Sequence, residues 1–427
     1  MYQKAVDSLK CKALGDRDFE VKAFIKKEKD KIPSMTSWSD PSPDPRIIQP
    51  RDPRVTVTFG PFVRSIEGRL YKHFARLWKS IALSTATPVC MKGYNYVQRG
   101  DFLCKKWGSF VDPVAVALDC SRFDLHVSTE ALGFTDYLYE RCFPQKYLPA
   151  LRYILARRHT TVGVASCKES AWRYSKVGGR CSGDVDTSLG NVCIMLAISV
   201  EIADRMRCHI ELVNDGDDQI FILEKCDLDA LLDVIEPTFW EAGFRVKVEE
   251  PVDIFERIDF CQTRPVRNTN GGYTMCRYPQ LAMTKDLCSF LPIDRVTVAR
   301  NMCQAIGDCG WAAYGDMPVL SVFYEKLRKV GGNAESHWRQ TGVDLGFFYH
   351  VKGLEQFSTA APAGISPAVR ASFWKAFGMP PAEQIALEEE VRGWNVEFGP
   401  SGRVVRPSHW WWLGRDHGVA SSLRSLI

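Results

Sequence analysis

At 427 residues, with ordinary apolar and charged fractions, the chain exceeds one ordinary domain and reads as globular, with several subdomains around a large core. A net charge of +4 permits nucleic acid as a partner without demanding it, so local charge placement has to carry that argument. Fifteen scattered cysteines with no Cys-x-x-Cys pair leave no zinc spacing and argue against a disulfide framework; they read as reduced thiols of a cytosolic protein.

In chain order, Met1-Tyr2-Gln3-Lys4 leads into polar sequence without a secretory signal. Val21–Ile25 is a predicted strand. Prolines 33, 41, 43, 45, 50 and 53 make residues 31–54 an extended loop, because each also pushes its predecessor away from helix. A helix is predicted over Pro61–Ile81. The apolar run Val114–Leu118 is a strand ending on Asp119, and a helix opens near Ser128. Residues Arg157–Lys176 read as a basic loop ahead of the turn Gly178-Gly179. From Thr187 to Met206, Leu189, Val192, Cys193, Leu196, Val200 and Ala203 fall at helical spacing. The apolar stretch around Val192–Val200 is too short and interrupted to span a bilayer, so no transmembrane segment is expected. Next come two short apolar runs, Ile210–Val213 and Ile220–Leu223, flanking Asn214-Asp215-Gly216-Asp217-Asp218 as a hairpin with a tight turn. Asp227 caps a helix that ends at Gly243, and strands follow at Phe244–Val248 and Ile258–Cys261. From about residue 280 the chain reads as mostly helical, with Trp410-Trp411-Trp412 in its tail and no internal repeat.

The chemistry starts at the hairpin, which pushes Asp217 and Asp218 out from a rigid edge, while Asp119 ends a remote strand. Carboxylates from two strands can clamp two divalent ions roughly 3.5–4 Å apart, the arrangement of in-line nucleotidyl transfer. Oxygen-only ligands favour Mg²⁺, or Mn²⁺ as a substitute, over zinc. Taken alone, Gly-Asp-Asp is more often a solvated turn; its company gives it weight. Asp124 follows Asp119 by five residues and reads equally as a cap or surface residue. The glycine-rich loop from Gly178 feeds a helix: Gly183 lets backbone approach a nucleotide, and Ser182, Thr187 and Asn191 supply short polar side chains. Thr187 and Asn191, four apart, share a helix face that can bond a ribose 2′-hydroxyl. Lys26, Lys27, Arg46 and Arg51 could line a triphosphate path, although interspersed Glu28, Asp30, Asp44 and Asp52 fit a solvated loop as well. Lys247 could be a general acid toward pyrophosphate, or a plain strand lysine.

Taken together, these segments resemble the RNA-directed RNA polymerases of positive-strand RNA viruses, closest to the tombusvirus and carmovirus group. The resemblance rests on motif order and on phrases such as Asp44-Pro45-Arg46-Ile47-Ile48-Gln49-Pro50-Arg51, Lys92-Gly93-Tyr94-Asn95, Leu118–Val127, Ser182-Gly183-Asp184 and Leu189-Gly190-Asn191. It is strong over about residues 20–290 and weaker beyond. It implies an α+β right-hand fold of fingers, palm and thumb, with an antiparallel palm sheet flanked by helices. The fingers would take 1–110, with a basic loop at 22–54 admitting triphosphates, and an insertion at 141–177. The palm would take 111–140 and 178–265, and the thumb and tail 266–427.

By that resemblance Asp119, Asp217 and Asp218 would hold Mg²⁺, and Asp124, Ser182, Gly183, Thr187 and Asn191 would surround the incoming ribose. Lys26, Lys27, Arg46 and Arg51 would contact triphosphate or template, and Phe260-Cys261-Gln262 would form a primer-grip hairpin. Partners would be an RNA template, its product strand, ribonucleoside triphosphates and a viral replication co-factor supplying membrane attachment in the host cytoplasm. Two features depart from the group. Asp215 stands where asparagine is frequent, and the segment before the basic loop is short, which implies a fragment, a readthrough product or a compact relative. The aromatics Phe347, Phe348, Tyr349 and Trp410–Trp412 predict initiation without a primer, by stacking the first nucleotide, against the plainer role of thumb packing. Rival readings are a reverse transcriptase, which usually carries an aromatic before the paired aspartates, and a non-catalytic RNA-binding replication subunit.

Overall fold

The computed structural model describes residues 1–26, 45–167, 169–287, 295–331, 350–351, 354, 364–394, 397–398 and 404–405. Lys27, the aromatics at 347–349 and the tryptophans at 410–412 lie outside these residues. The fold is α+β with several small sheets, and the chain divides into two compact units. One comprises Met1–Lys27, Pro43–Lys92 and Gly108–Pro251; the other Glu28–Ser42, Gly93–Trp107 and Val252–Ile427.

The first unit carries two four-stranded sheets. In one, β1 (Val21–Ile25), β2 (Ile47–Ile48), β4 (Thr160–Ser166) and β5 (Ala171–Val177) lie in the order β2-β1-β4-β5, with β1 parallel to β4. The other places β3 (Pro113–Cys120), β6 (Glu211–Asp215), β7 (Asp218–Glu224) and β8 (Val246–Val248) in the order β6-β7-β3-β8, antiparallel throughout. Outside β6 the chain adds one more rung: Asn214 donates its N–H to Val89 O and accepts from Met91 N, so residues 89–91 run along that edge.

The helix Thr187–Met206 backs the second sheet and packs on the helices Pro53–Ala82, Thr129–Arg141 and Leu228–Glu241. It is long and apolar enough to cross a membrane by length and composition, yet Leu189, Val192, Met195, Leu196 and Ile202 are buried in the core, as expected of a core helix. Ser199 Oγ reaches Gln219 Oε1 at 3.0 Å, and Cys120 Sγ lies 3.9 Å from Met195 Sδ, tying helix to sheet.

Three sequence-based expectations are corrected. Residues 157–176 are not a loop: the β-branched and aromatic alternation of Thr160–Ser166 and Ala171–Val177 builds the β4–β5 hairpin, with cations on its open positions. The helix expected from Pro61 begins at Pro53, where a proline suits the first turn and the Asp52 carboxylate caps Arg54 N at 2.9 Å; Pro61 lies inside it. In the second unit, Ile258–Cys261 is not a strand. Phe260 and Thr263 exchange backbone hydrogen bonds around Cys261 and Gln262, both at positive φ (51° and 59°), so the strand β9 (Thr263–Arg267) starts later and pairs with β10 (Tyr273–Arg277). That unit is otherwise mainly helical among the described residues.

Candidate active site

The acidic hairpin forms as its sequence indicates. Asp215 pairs with Asp218, which leaves Gly216 and Asp217 as the two-residue turn, and Gly216 supplies φ 97°. β3 lies beside β7 with Leu118 opposite Gln219, so one step further along the ladder sets Asp119 beside Asp218. Asp119, Asp217 and Asp218 are all exposed, while Asp124 is half-buried in the turn after β3.

Electrostatics records how closely these groups gather. Protein packed around Asp217 strips its hydration and raises its pKa, the charges of Asp124 and Asp119 raise it further, and Lys92 opposes them. The buried Cys120 thiol is pushed up to about 12 by burial first and then by Asp217, Asp119 and Asp218 together. Lys92 pairs with the Asp215 carboxylate, which brings a cation to the base of the turn. Among the described residues, no three His, Cys, Asp or Glu side chains stand at closed metal-binding spacing. The donors nonetheless suit a hard divalent cation: all are carboxylate oxygens on residues open to solvent.

Asp124 is the second centre. Ser182 Oγ donates to its Oδ2, Asn191 Nδ2 donates to its Oδ1 at 2.9 Å, and Arg180 N–H binds its main-chain carbonyl at 2.7 Å. The side-chain acceptor of Asn191, its Oδ1, is buried with no hydrogen-bond partner. Thr187 is turned elsewhere: its hydroxyl donates to Cys181 O (3.1 Å) and Asp184 O (2.9 Å), closing its own loop at the helix start. Gly183, at φ 135°, is exposed in that loop.

The basic set separates. Lys26 and Arg46 are exposed on the paired β1–β2 ends, where Lys26 N–H binds Arg46 O at 2.8 Å. Arg51 is buried instead, with its guanidinium donating to Asp184 Oδ1 (2.8 Å), Phe19 O (3.0 Å) and Thr161 Oγ1 (3.1 Å). Those bonds make it an interior tie and leave little of it for a triphosphate. Lys247 lies directly opposite Asp119 in the β3–β8 ladder, so the two side chains leave the same face. Its ammonium holds Glu249 Oε1 at 2.6 Å, and that bond raises its pKa.

Sequence reasoning passed over the buried ion cluster beneath the site. Asp186 Oδ2 accepts from Arg158, from Arg180 Nη1 (3.0 Å) and from the Tyr139 hydroxyl (3.1 Å). Burial alone would raise the Asp186 pKa, but the two arginines hold it well below the usual carboxylate range. The Arg180 guanidinium lies over Gly190, where a β-carbon would overlap it. Asp184, Asp186 and Arg180 share one loop and were a visible signal of buried pairing; the remote partners Arg51 and Arg158 were not. Lys92 was visible only as part of a phrase shared with a family.

The family model for viral RNA-dependent RNA polymerase matches residues 1–399. The chain is 38% identical over 390 residues, 91% of its length, to the RNA-directed RNA polymerase of Tobacco necrosis virus (strain A), of which that covers 51%. It is 35% identical to that of Maize chlorotic mottle virus (93% of this chain, 39% of the relative) and 32% identical to that of Carnation mottle virus (98% and 52%). The chain thus spans about half, or less, of the length of these curated relatives.

Proposed function

The chain belongs to the viral RNA-dependent RNA polymerase family, and from that premise we propose that it extends RNA on an RNA template, joining ribonucleoside triphosphates to a 3′-hydroxyl. In this reading the β6-β7-β3-β8 sheet and its helices are the palm, the β2-β1-β4-β5 sheet belongs to the fingers, and the helical remainder supplies the thumb. One observation carries the reading most. A carboxylate fixed by Ser182 and Asn191 bears on Asp217, which couples a sugar-reading group to the acidic hairpin.

Asp119 and Asp217 would hold two Mg²⁺ ions, or Mn²⁺, with Asp218 as accessory ligand. Bound there, the ions supply Lewis-acid activation of the attacking hydroxyl and charge stabilisation of the leaving pyrophosphate. Asp124 and Asn191 orient the incoming ribose: the unpartnered Asn191 Oδ1 is an acceptor that a 2′-hydroxyl proton satisfies, and a deoxyribose leaves it empty at a cost. Ser182 keeps the Asp124 carboxylate aimed. Lys26 and Arg46 bear on the triphosphate, with Lys27 next to Lys26 in sequence. Lys247 holds a proton at Nζ at neutral pH, on the face of Asp119, for delivery to the leaving group.

The template, the product strand and a replication co-factor that ties the chain to membranes in the host cytoplasm complete the assembly, and the aromatic residues of the tail support initiation without a primer. The test is template-directed incorporation of labelled ribonucleotide with Mg²⁺ on single-stranded RNA, with and without an annealed primer, beside Asp217→Ala. Synthesis on both templates, lost in the variant while RNA binding persists, is expected. Equal activity of the variant overturns the metal assignment, and extension of primers alone overturns unprimed initiation.

A further inference from the structure

Three consecutive residues after β2 grip three consecutive residues of the sugar-reading loop. Gln49 N–H binds Ser182 O at 2.9 Å. Pro50 lies against Gly183, so that a β-carbon on Gly183 would stand 3.2 Å from the proline Cα. Arg51 Nε binds Asp184 Oδ1 at 2.8 Å, and both side chains are more than nine-tenths buried (3% and 7% exposed). The gripping segment is itself braced: Tyr174 OH donates to Gln49 Oε1 at 2.9 Å, and the Arg51 fork also holds Phe19 O and Thr161 Oγ1. At the other end of the loop the arginine pair holds Asp186. Ser182, the first of the three gripped residues, turns its hydroxyl to the Asp124 carboxylate.

We propose that the Arg51–Asp184 ion pair is a positioning device for sugar selection, fastening the Ser182 loop to the strand pair that carries Lys26 and Arg46. The physical reason is rigidity. A polar site rejects a substrate lacking one hydroxyl only when its own groups cannot relax to satisfy one another. With the loop clamped at 182–184, Ser182 keeps Asp124 aimed and Asn191 Oδ1 stays in want of a donor. Released, the loop lets those groups find new partners, and the penalty for deoxyribose falls. The clamp also makes one mechanical element of two contacts with the same nucleotide: the strand pair carrying the cations continues directly into the residues that hold the loop.

This inference rests on the assignment of Asp124, Ser182 and Asn191 to the ribose, and the experiment separates the two. For the full chain with Mg²⁺, kcat/KM is measured for a ribonucleotide and for its 2′-deoxy counterpart, with thermal unfolding followed alongside. Asn191→Ala should lower the ribo-to-deoxy ratio; an unchanged ratio sinks the ribose assignment and the proposal with it. Asp184→Asn should lower the ratio about tenfold, the worth of one well-made hydrogen bond, through loss on the ribonucleotide alone. Arg51→Lys, which keeps the charge but loses the fork, should lower the ratio by less than Asp184→Asn does. Tyr174→Phe, at a half-exposed site that does not threaten folding, should lower the ratio by a smaller factor. Equal loss for both sugars in Asp184→Asn and Tyr174→Phe, with the Asn191→Ala effect intact, marks the clamp as merely structural and overturns the proposal.

Discussion

Asp217 serves two demands that oppose each other. In the proposed role of metal ligand it would have to stay charged and open to solvent; as a folded residue it is crowded by protein and by the carboxylates of Asp124 and Asp119, which raise its pKa. The sign of the linkage follows. A carboxyl whose folded value lies above its unfolded value binds protons more readily in the folded state, so its contribution is full below the unfolded value and is lost as pH rises through the folded one. Above that window the ionised group opposes folding. Asp217→Asn should therefore leave the metal-free protein no less stable at neutral pH, and more stable by at most about 0.5 kcal/mol given the exposed side chain, while abolishing synthesis. Urea unfolding of both proteins at neutral and mildly acidic pH checks it: a clear loss of stability in the variant at neutral pH would contradict this account. Lys92 moderates the same tension from outside the motif. Its pairing with Asp215 gives the charge at the base of the turn a counter-ion.

At the level of single elements, the helix Thr187–Met206 shows what could be read beforehand and what could not. Its extent follows from apolar spacing alone, whereas the apolar stretch is longer than the sequence suggested and only its burial in the core marks it as a core helix. Nothing local indicates that Gly190 lies under a buried guanidinium. Alanine there gains about 1 kcal/mol of intrinsic helix preference, yet must displace Arg180 from Asp186. Gly190→Ala should thus lower stability by about 2–4 kcal/mol net, seen as a lower urea midpoint with an unchanged slope. Stabilisation by the substitution would refute the packing argument. The acidic hairpin was legible because its turn residues and flanking apolar runs are contiguous. The β4–β5 hairpin was not, since cations at its open positions mask a strand pattern as a basic loop. Arg51 was assigned to a phosphate from its basic company, whereas its fate is decided by Asp184, 133 residues away. Contacts of that kind leave no trace in local sequence.

For the molecule as a whole, the proposed function would make synthesis and RNA binding separable, because the carboxylates come from β3, its following turn and the β6–β7 hairpin. Removing divalent cations with a chelator should stop nucleotide incorporation, and excess Mg²⁺ should restore it. Retention of labelled RNA, followed by fluorescence anisotropy at fixed salt, should change little, because attraction to phosphate rests on lysine and arginine charge rather than on aspartates. Loss of RNA binding in step with activity would tie the metals to template capture instead.

The rung that residues 89–91 lay along β6 bears on how copies of this protein behave when crowded together. An open sheet margin offers bare amide and carbonyl groups to any extended peptide nearby. Here the chain's own backbone occupies that margin at Asn214, and the far side of the sheet finishes on β8, only 3 residues long. Neither border of this sheet gives a second molecule a long ladder to zip onto.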